Sequence, residues 1–126
     1  MDDLRIEPTK STPQVLFSSQ EGLLRLKGQS YPENAFAFYQ PLLTWAKTWF
    51  ASKPEKVRVE IHLNYLNTSS SKCLMDLIDL LEQVSEEGIH VRIVWFCEVG
   101  NERAYELAEE FMEGLDLTYE IVGVAD

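Results

Sequence analysis

The sequence has few of the residues that mark secreted, fibrous or disordered chains. Its 126 residues include two cysteines, six glycines and five prolines. Cys73 and Cys97 lack the CxxC spacing of a redox or zinc site, so we expect reduced thiols that pack in a core. A content of 45% apolar and 25% charged residues excludes a disordered chain. The length predicts a single domain over residues 1–126 that needs neither disulfides nor a structural metal.

Long hydrophobic runs are also missing. No stretch reaches the roughly 18 uninterrupted apolar residues of a membrane-spanning helix. The start, Met1 to Arg5, has neither the positive flank nor the apolar run of a signal peptide. We therefore expect a cytoplasmic protein that does not insert into a membrane.

Basic residues are scarce in the second half of the chain. Residues 1–60 carry 8 basic and 7 acidic side chains, whereas residues 61–126 carry 3 and 14, for a net charge of −10. Such a surface repels phosphate backbones and anionic lipids, so we expect no nucleic acid partner. A protein partner with a basic or apolar surface is favoured.

The pattern of apolar residues predicts an α/β fold. Strands are expected at residues 4–6, 15–18, 23–27, 57–65, 90–97 and 119–124, with a loop at 28–34 and helices at 35–52, after 67–71 and between 101 and 114. Alternating strands and helices favour a mixed, mostly parallel sheet, with the opening strands antiparallel at one edge. Because residues 57–65 alternate between apolar and polar, helices are expected mainly on one face.

The helix at residues 35–52 carries two apolar stripes. We assign the stripe with Phe36 to the core and expect Pro41 to kink the helix or to make it begin again. The second stripe is Phe38, Leu42, Trp45 and Trp49. Either the amino-terminal strands cover it, or Phe38, Trp45 and Trp49 contribute to a partner or homodimer interface.

The most informative segment lies between a predicted strand and a predicted helix. It consists of Asn67, Thr68, Ser69, Ser70, Ser71 and Lys72. One Ser, Thr or Asn would be enough to cap the helix, yet five small polar residues occur in succession. A hydroxyl at this helix terminus is well placed for phosphorylation, because the terminus favours an anion. The pattern alone leaves Thr68, Ser69, Ser70 and Ser71 open as the phosphorylated residue.

Catalytic motifs are not found. The sequence has no G-x-S-x-G elbow, glycine-rich phosphate loop or zinc spacing, so we assign no catalytic, cofactor-binding or metal-binding residue and expect that the protein is not an enzyme. Two alternatives stay open. One is a small hydrolase or transferase that uses a Ser or Thr of the 67–72 segment with His62 as base. The other is a passive adaptor that is never phosphorylated.

Several segments resemble the SiaC family of bacterial regulatory phosphoproteins over nearly the whole chain. The most specific are YPEN, at Tyr31, Pro32, Glu33 and Asn34, and NTSSSK at residues 67–72; residues 65–66, 94–95 and 101–102 also match. The resemblance implies a STAS-like fold, similar to anti-sigma-factor antagonists. It also implies that Thr68 is the phosphothreonine and that the YPEN residues lie near it on one recognition surface.

The same resemblance implies a set of partners. A dedicated protein kinase would phosphorylate Thr68, and a PP2C-type phosphatase would restore it. The unmodified form would bind and activate a diguanylate cyclase, which promotes c-di-GMP synthesis and biofilm growth. The function implied is therefore partner switching without a cofactor.

Overall fold

The computed structural model describes residues 1–125 and contains one sheet of six strands. The strands are β1 (Leu4–Ile6), β2 (Gln14–Ser18), β3 (Leu23–Ser30), β4 (Lys56–Leu66), β5 (His90–Glu98) and β6 (Thr118–Val124). They lie in the sheet in the order of the chain. The pairings of β1 with β2 and of β2 with β3 are antiparallel, and the others are parallel. The predicted mixed and mostly parallel sheet is confirmed.

Helices connect the parallel strands. Within the described residues they are α1 (Ala35–Ala51), α2 (Thr68–Glu86) and α3 (Glu102–Met112). Right-handed crossovers that all step the same way across a sheet place their helices on the same face. Accordingly, buried side chains of α1, α2 and α3 share one hydrophobic core with the strands. The α/β fold with helices on one face is confirmed.

The other face of the sheet is open and polar, as the alternation of β4 predicted. Glu60 on this face accepts hydrogen bonds from Arg25 Nε at 2.8 Å and from Arg58 Nε at 2.7 Å. Burial alone would raise the pKa of Glu60, but the two guanidinium groups outweigh that effect and hold the pKa below its ordinary value.

Strand β3 is longer than predicted. The register of β3 against β4 shifts between Gly28 and Gln29, where a bulge occurs, and Gly28 has a φ of 130°. This backbone conformation suits glycine, because residues with a side chain rarely adopt it. The prediction of a loop over residues 28–34 is therefore wrong for residues 28–30, which belong to β3, and right for residues 31–34, which connect β3 to α1. The extra residue lies in β4, where Asn64 has no partner, and the pairing resumes up to Ser30 with Leu66.

Helix α1 is continuous through Pro41. Proline removes the hydrogen bond to the carbonyl of Ala37, but both residues are exposed, so water can bond that carbonyl. Of the two outcomes expected at Pro41, a kink or a new start, the new start is wrong. The turn before Pro41 is instead anchored by the cap at Asn34, whose Oδ1 accepts from the Ala37 amide at 3.1 Å.

The buried face of α1 is rotated from the predicted one. Phe36, which was assigned to the core, is 68% exposed, whereas Leu42 and Trp49 from the second stripe are buried at 1% and 5%. The core instead takes Ala35, Tyr39, Leu42, Ala46, Trp49 and Phe50. The two stripes were hard to separate because the helix is apolar around most of its circumference.

Both cysteines are buried and free, as expected. Burial raises the pKa of the Cys73 and Cys97 thiols. No helix among residues 1–125 combines the length and the hydrophobicity that crossing a membrane requires.

Candidate functional site

The segment of small polar residues forms the junction between β4 and α2. Asn67 is the N-cap of α2, and its Oδ1 accepts a hydrogen bond from the Ser70 amide at 2.8 Å. Capping therefore uses only Asn67. The four hydroxyl residues that follow, which we call the hydroxyl turn (residues 68–71), all lie inside the helix. Their hydroxyl groups are not needed for the cap.

The YPEN residues lie next to this junction. The Asn67 backbone amide donates to the carbonyl of Ser30 at 2.9 Å, and the Asn67 side-chain amide donates to the carbonyl of Pro32 at 3.4 Å. The rings of Tyr31 and Tyr65 meet edge to face with centroids 5.9 Å apart. The two motifs thus meet at the carboxyl ends of β3 and β4, where neighbouring parallel strands end at the same edge of the sheet.

The remaining YPEN residues have different positions. Asn34 is the N-cap of α1, and Glu33 is exposed beside it. Tyr65, which was part of the resemblance but not among the predicted site residues, is 52% exposed. Alternation along β4 did not signal this exposure, because it places Tyr65 in phase with the buried Val57, Val59, Ile61 and Leu63.

The hydroxyl turn presents its residues unequally to solvent. Thr68 and Ser69 are exposed, Ser71 is half-buried and Ser70 is fully buried. Successive residues of an α-helix are rotated by about 100° around its axis. With Ser70 pointing into the core, Thr68 is rotated by about 200° and points almost directly away from it. Thr68 is the hydroxyl residue that the helix turns farthest outward.

Ser70 of the hydroxyl turn belongs to a chain of three buried hydroxyl groups. Ser30 Oγ is 2.8 Å from Ser70 Oγ and 2.8 Å from the Tyr39 hydroxyl. Ser30 donates its single hydroxyl proton to Ser70. In the bond between Ser30 and Tyr39, the donor is therefore Tyr39. Burial raises the pKa of Tyr39 to about 12, and the bond to Ser30 opposes this rise. Tyr39 therefore stays a neutral donor. We call these three residues the buried hydroxyl chain.

Sequence reasoning missed two members of this chain. Ser30 was placed in a loop, and Tyr39 was not assigned to any site. No local pattern reveals them, because Ser30, Tyr39 and Ser70 are distant in sequence and meet only through β3, α1 and α2.

The electrostatic surroundings of the hydroxyl turn favour an anion. The first turn of α2 contains no acidic residue. The backbone amides at a helix amino terminus carry partial positive charge. Lys72 is exposed and lies one turn after Thr68, on the same face of the helix. A phosphate on Thr68 would therefore meet favourable partners within its own helix.

An apolar groove lies beside the hydroxyl turn, between α2 and α3. It encloses about 310 Å³ and is lined by Ser71, Lys72, Met75, Leu107, Glu110 and Phe111. The groove begins at Ser71 and Lys72 and continues along the two helices. Lys72, which lines the groove, lies one turn after Thr68 on the same face of α2.

The three aromatic residues proposed for an interface are largely used by the chain itself. Trp49 is 5% exposed and packs in the core, so its assignment to an interface is wrong in this structure. Trp45 is half-buried against Phe17, at 5.7 Å between ring centroids, and its Nε1 donates to the carbonyl of Asp2 at 2.9 Å. Phe38 is half-buried against Tyr39. The amino-terminal segment thus covers part of the second stripe.

His62 lies on the open face of the sheet. Its Nε2 is 4.0 Å from Glu98 Oε1, and its ring lies 6.1 Å from that of Phe96. Among residues 1–125, no hydrogen-bond partner contacts the buried Nε2 of His62. A general base must lie within hydrogen-bond reach of its nucleophile, and Nε2 of His62 has no such contact with the hydroxyl turn.

Comparisons with known proteins agree over nearly the whole chain. A model of the SiaC family of regulatory phosphoproteins matches residues 6–124. An uncharacterized protein of Pseudomonas aeruginosa is 39% identical over 121 residues, which are 96% of each chain. The structure of SiaC of Pseudomonas aeruginosa has a TM-score of 0.92 and 36% identity, and the match covers 98% of this chain and 100% of that chain.

A second solved structure is a complex. It is the crystal structure of the diguanylate cyclase SiaD with its activator SiaC from Pseudomonas aeruginosa. The matching chain has a TM-score of 0.93 and 38% identity, and the match covers 97% of this chain and 100% of that chain.

Proposed function

This chain belongs to the SiaC family of regulatory phosphoproteins, and from that premise we propose that it is a switch protein controlled at Thr68. In its unphosphorylated form it binds and activates a diguanylate cyclase, which raises c-di-GMP synthesis and promotes biofilm formation. A protein kinase ends the interaction by modifying Thr68, and a PP2C-type phosphatase restores it. The complex of the similar SiaC with the cyclase SiaD supports the choice of partner.

The observation that carries this proposal is the position of Thr68. It is exposed, it is the first residue of α2, and the neighbouring Ser70 is buried. An exposed hydroxyl group on a rigid helix is accessible to a kinase, a phosphatase and a partner in turn. The contact of Asn67 with Pro32 adds the YPEN residues to the same recognition surface.

Phosphorylation should change binding and leave the fold intact. A phosphate adds about −1.5 to −2 charges at neutral pH. The amides of the first turn and Lys72 stabilise that charge within α2. An apolar partner in the groove between α2 and α3 would instead have to bury it. Unfavourable charge at an interface costs several kcal/mol, and about 1.4 kcal/mol already weakens binding tenfold.

The test compares charge at Thr68 with charge elsewhere. Thr68→Asp should lower cyclase activation at least about tenfold, because it adds a negative charge at the contact, whereas Thr68→Ala should preserve activation. Thr44→Asp, at an exposed threonine in the middle of α1, is the matched control with the same net charge. The measurements are c-di-GMP production by the cyclase and binding by titration calorimetry. Equal activation by the two Thr68 variants would remove the switch mechanism.

We further propose that the protein is not itself an enzyme and acts through its partners. In support, His62, the base that the hydrolase alternative requires, makes its contacts on the open sheet face. Substrate consumption by the purified chain without a partner, abolished by Thr68→Ala, would favour the hydrolase alternative. Intact-mass analysis of native protein, with and without phosphatase treatment, separates the switch from an adaptor that is never phosphorylated.

A further inference from the structure

We propose that Ser30 and Tyr39 are positioning residues that hold the rotation of α2 about its axis and thereby select Thr68 as the phosphorylated residue. The inference rests on the proposed function and deepens it. The hydroxyl turn offers four possible acceptors that are chemically alike, yet a switch needs the charge at one defined place. The buried hydroxyl chain supplies the selection.

The first step of the argument is burial. Ser30 and Ser70 are 0% exposed and Tyr39 is 1% exposed. Alanine and phenylalanine would fill these volumes without any polar atom, so core packing by itself does not require the hydroxyl groups. Buried polar networks of this kind are instead suited to specifying one arrangement, because any other arrangement leaves a polar group without a partner. The arrangement specified here is Ser70 facing inward.

The second step is the phase of the helix. When Ser70 points into the core, Thr68 points away from it, and Ser69 and Ser71 are each rotated by about 100° to either side. A rotation of the first turn of α2 by about 100°, the angle between successive residues, would move Thr68 from its outward position and bring a serine there instead. The bond from Ser30 to Ser70 at 2.8 Å opposes that rotation.

The third step is the backbone. The Ser30 carbonyl accepts from the Asn67 amide at 2.9 Å, just before the turn, while the Ser30 hydroxyl bonds Ser70 within it. Ser30 therefore holds the junction at two points. Tyr39, which donates to Ser30, connects the same junction to α1. One residue of β3 thus aligns α1, which follows the YPEN segment, with α2, which begins within the NTSSSK segment.

The chemistry that is selected is a simple group transfer. The Thr68 hydroxyl oxygen forms a bond to the γ-phosphorus of ATP as the bond to ADP breaks, and the hydroxyl proton leaves to the kinase base. Because this transfer depends on in-line positioning of the acceptor oxygen, a small rotation of the first turn changes which oxygen reacts. Ser70 is excluded because its oxygen is bonded to Ser30 in the core.

The experiment measures site selectivity. Wild type, Ser30→Ala and Tyr39→Phe are incubated with ATP and the cognate kinase, and peptide mass spectrometry quantifies phosphate on each residue of the hydroxyl turn. Ile78→Val, a buried change in the same helix away from its first turn, is the control for lost stability. Circular dichroism checks that each variant is folded. Both test variants remove a single oxygen atom, which makes retention of the fold the expected result.

In the wild type we expect phosphate on Thr68. Ser30→Ala should lower the ratio of phosphothreonine to phosphoserine about tenfold, the factor that corresponds to roughly 1.4 kcal/mol. Tyr39→Phe should lower it less, because the bond between Ser30 and Ser70 is kept. Ile78→Val should keep the wild-type ratio. If Ser30→Ala does not fold, the ratio of phosphothreonine to phosphoserine in Tyr39→Phe decides whether the positioning role stands.

Two other outcomes are distinguishable. An unchanged ratio in folded Ser30→Ala and Tyr39→Phe, with wild type modified on Thr68, overturns the positioning role and leaves the switch intact. Wild type without phosphate on any residue of the hydroxyl turn overturns the proposed function and the positioning role together.

Discussion

At the scale of single residues, the most unusual group is the Tyr39 hydroxyl. It is a buried donor in a core that otherwise consists mainly of aliphatic and aromatic side chains. Burial favours the neutral phenol and raises its pKa from the ordinary 10.0 to about 12. Because burial disfavours the charged form, Tyr39 can serve the hydroxyl chain over the whole physiological pH range.

This raised pKa predicts a loss of stability in alkali. The unfolded chain releases the Tyr39 proton near pH 10, whereas the folded chain keeps it to about pH 12. The contribution is therefore fully present below pH 10 and is lost as the pH rises toward 12, by about 2 to 3 kcal/mol. Phenolate absorbance should show one of the five tyrosines ionising near pH 12.

The controls for this titration are two single variants. Tyr39→Phe should remove the late step, whereas Tyr65→Phe, at an exposed position, should leave it in place. A late step that survives in Tyr39→Phe would show that another group is responsible.

At the scale of secondary-structure elements, all three helices of the described chain begin in the same way. Asn34, Asn67 and Asn101 are the N-caps of α1, α2 and α3, and each side-chain oxygen accepts from the amide three residues later. Asparagine is among the best N-cap residues because its side-chain oxygen reaches amides that have no partner in the helix. Only Asn67 also bonds the neighbouring YPEN segment.

These repeated caps provide a matched pair of variants. Asn67→Ala and Asn101→Ala should each lower the free energy of unfolding by about 1 kcal/mol, since each removes one cap. Asn67→Ala should in addition weaken cyclase activation, because the cap holds the junction that carries Thr68. Urea unfolding measures the first effect, and c-di-GMP production measures the second. The same loss of activation in both variants would show that stability alone matters.

At the scale of the whole molecule, the two faces of the sheet differ in their charged residues and in the segments that pack on them. The helix layer carries most of the acidic residues of the second half, while the open face holds ion pairs such as Arg92 with Glu120. The amino-terminal segment completes the core at the far edge, where the partly buried Leu4 and Ile6 of β1 pack against it and Asp2 bonds Trp45. This cover leaves the Trp45 side of α1 with little surface for a partner.

The cover can be tested within β1. Leu4 is aligned with Phe17 and packs on the core, whereas Arg5 is exposed. Leu4→Asn should lower the free energy of unfolding by about 1 to 2 kcal/mol and shift tryptophan emission to the red, because Trp45 gains contact with water. Arg5→Asn should leave both quantities nearly unchanged. Emission that is identical in the two variants would contradict the assignment of β1 as the cover.

Sequence alone determined the class of fold and the place of the hydroxyl turn. Alternation in β4 and the amphipathic pattern of α2 are local consequences of burying one face, so they can be read along the chain. The resemblance of YPEN and NTSSSK to one family was also visible in short segments, and the family is confirmed.

Only the tertiary structure decided which residues of each helix and strand face the core. Rotation of α1 buried Leu42 and Trp49 and exposed Phe36, since an apolar helix does not specify its own buried face. Pairing of β3 with β4 as far as Ser30 placed that residue in the sheet, where it meets Tyr39 and Ser70. Hydrogen bonds between residues far apart in sequence depend on how elements pack, and no local pattern contains that information.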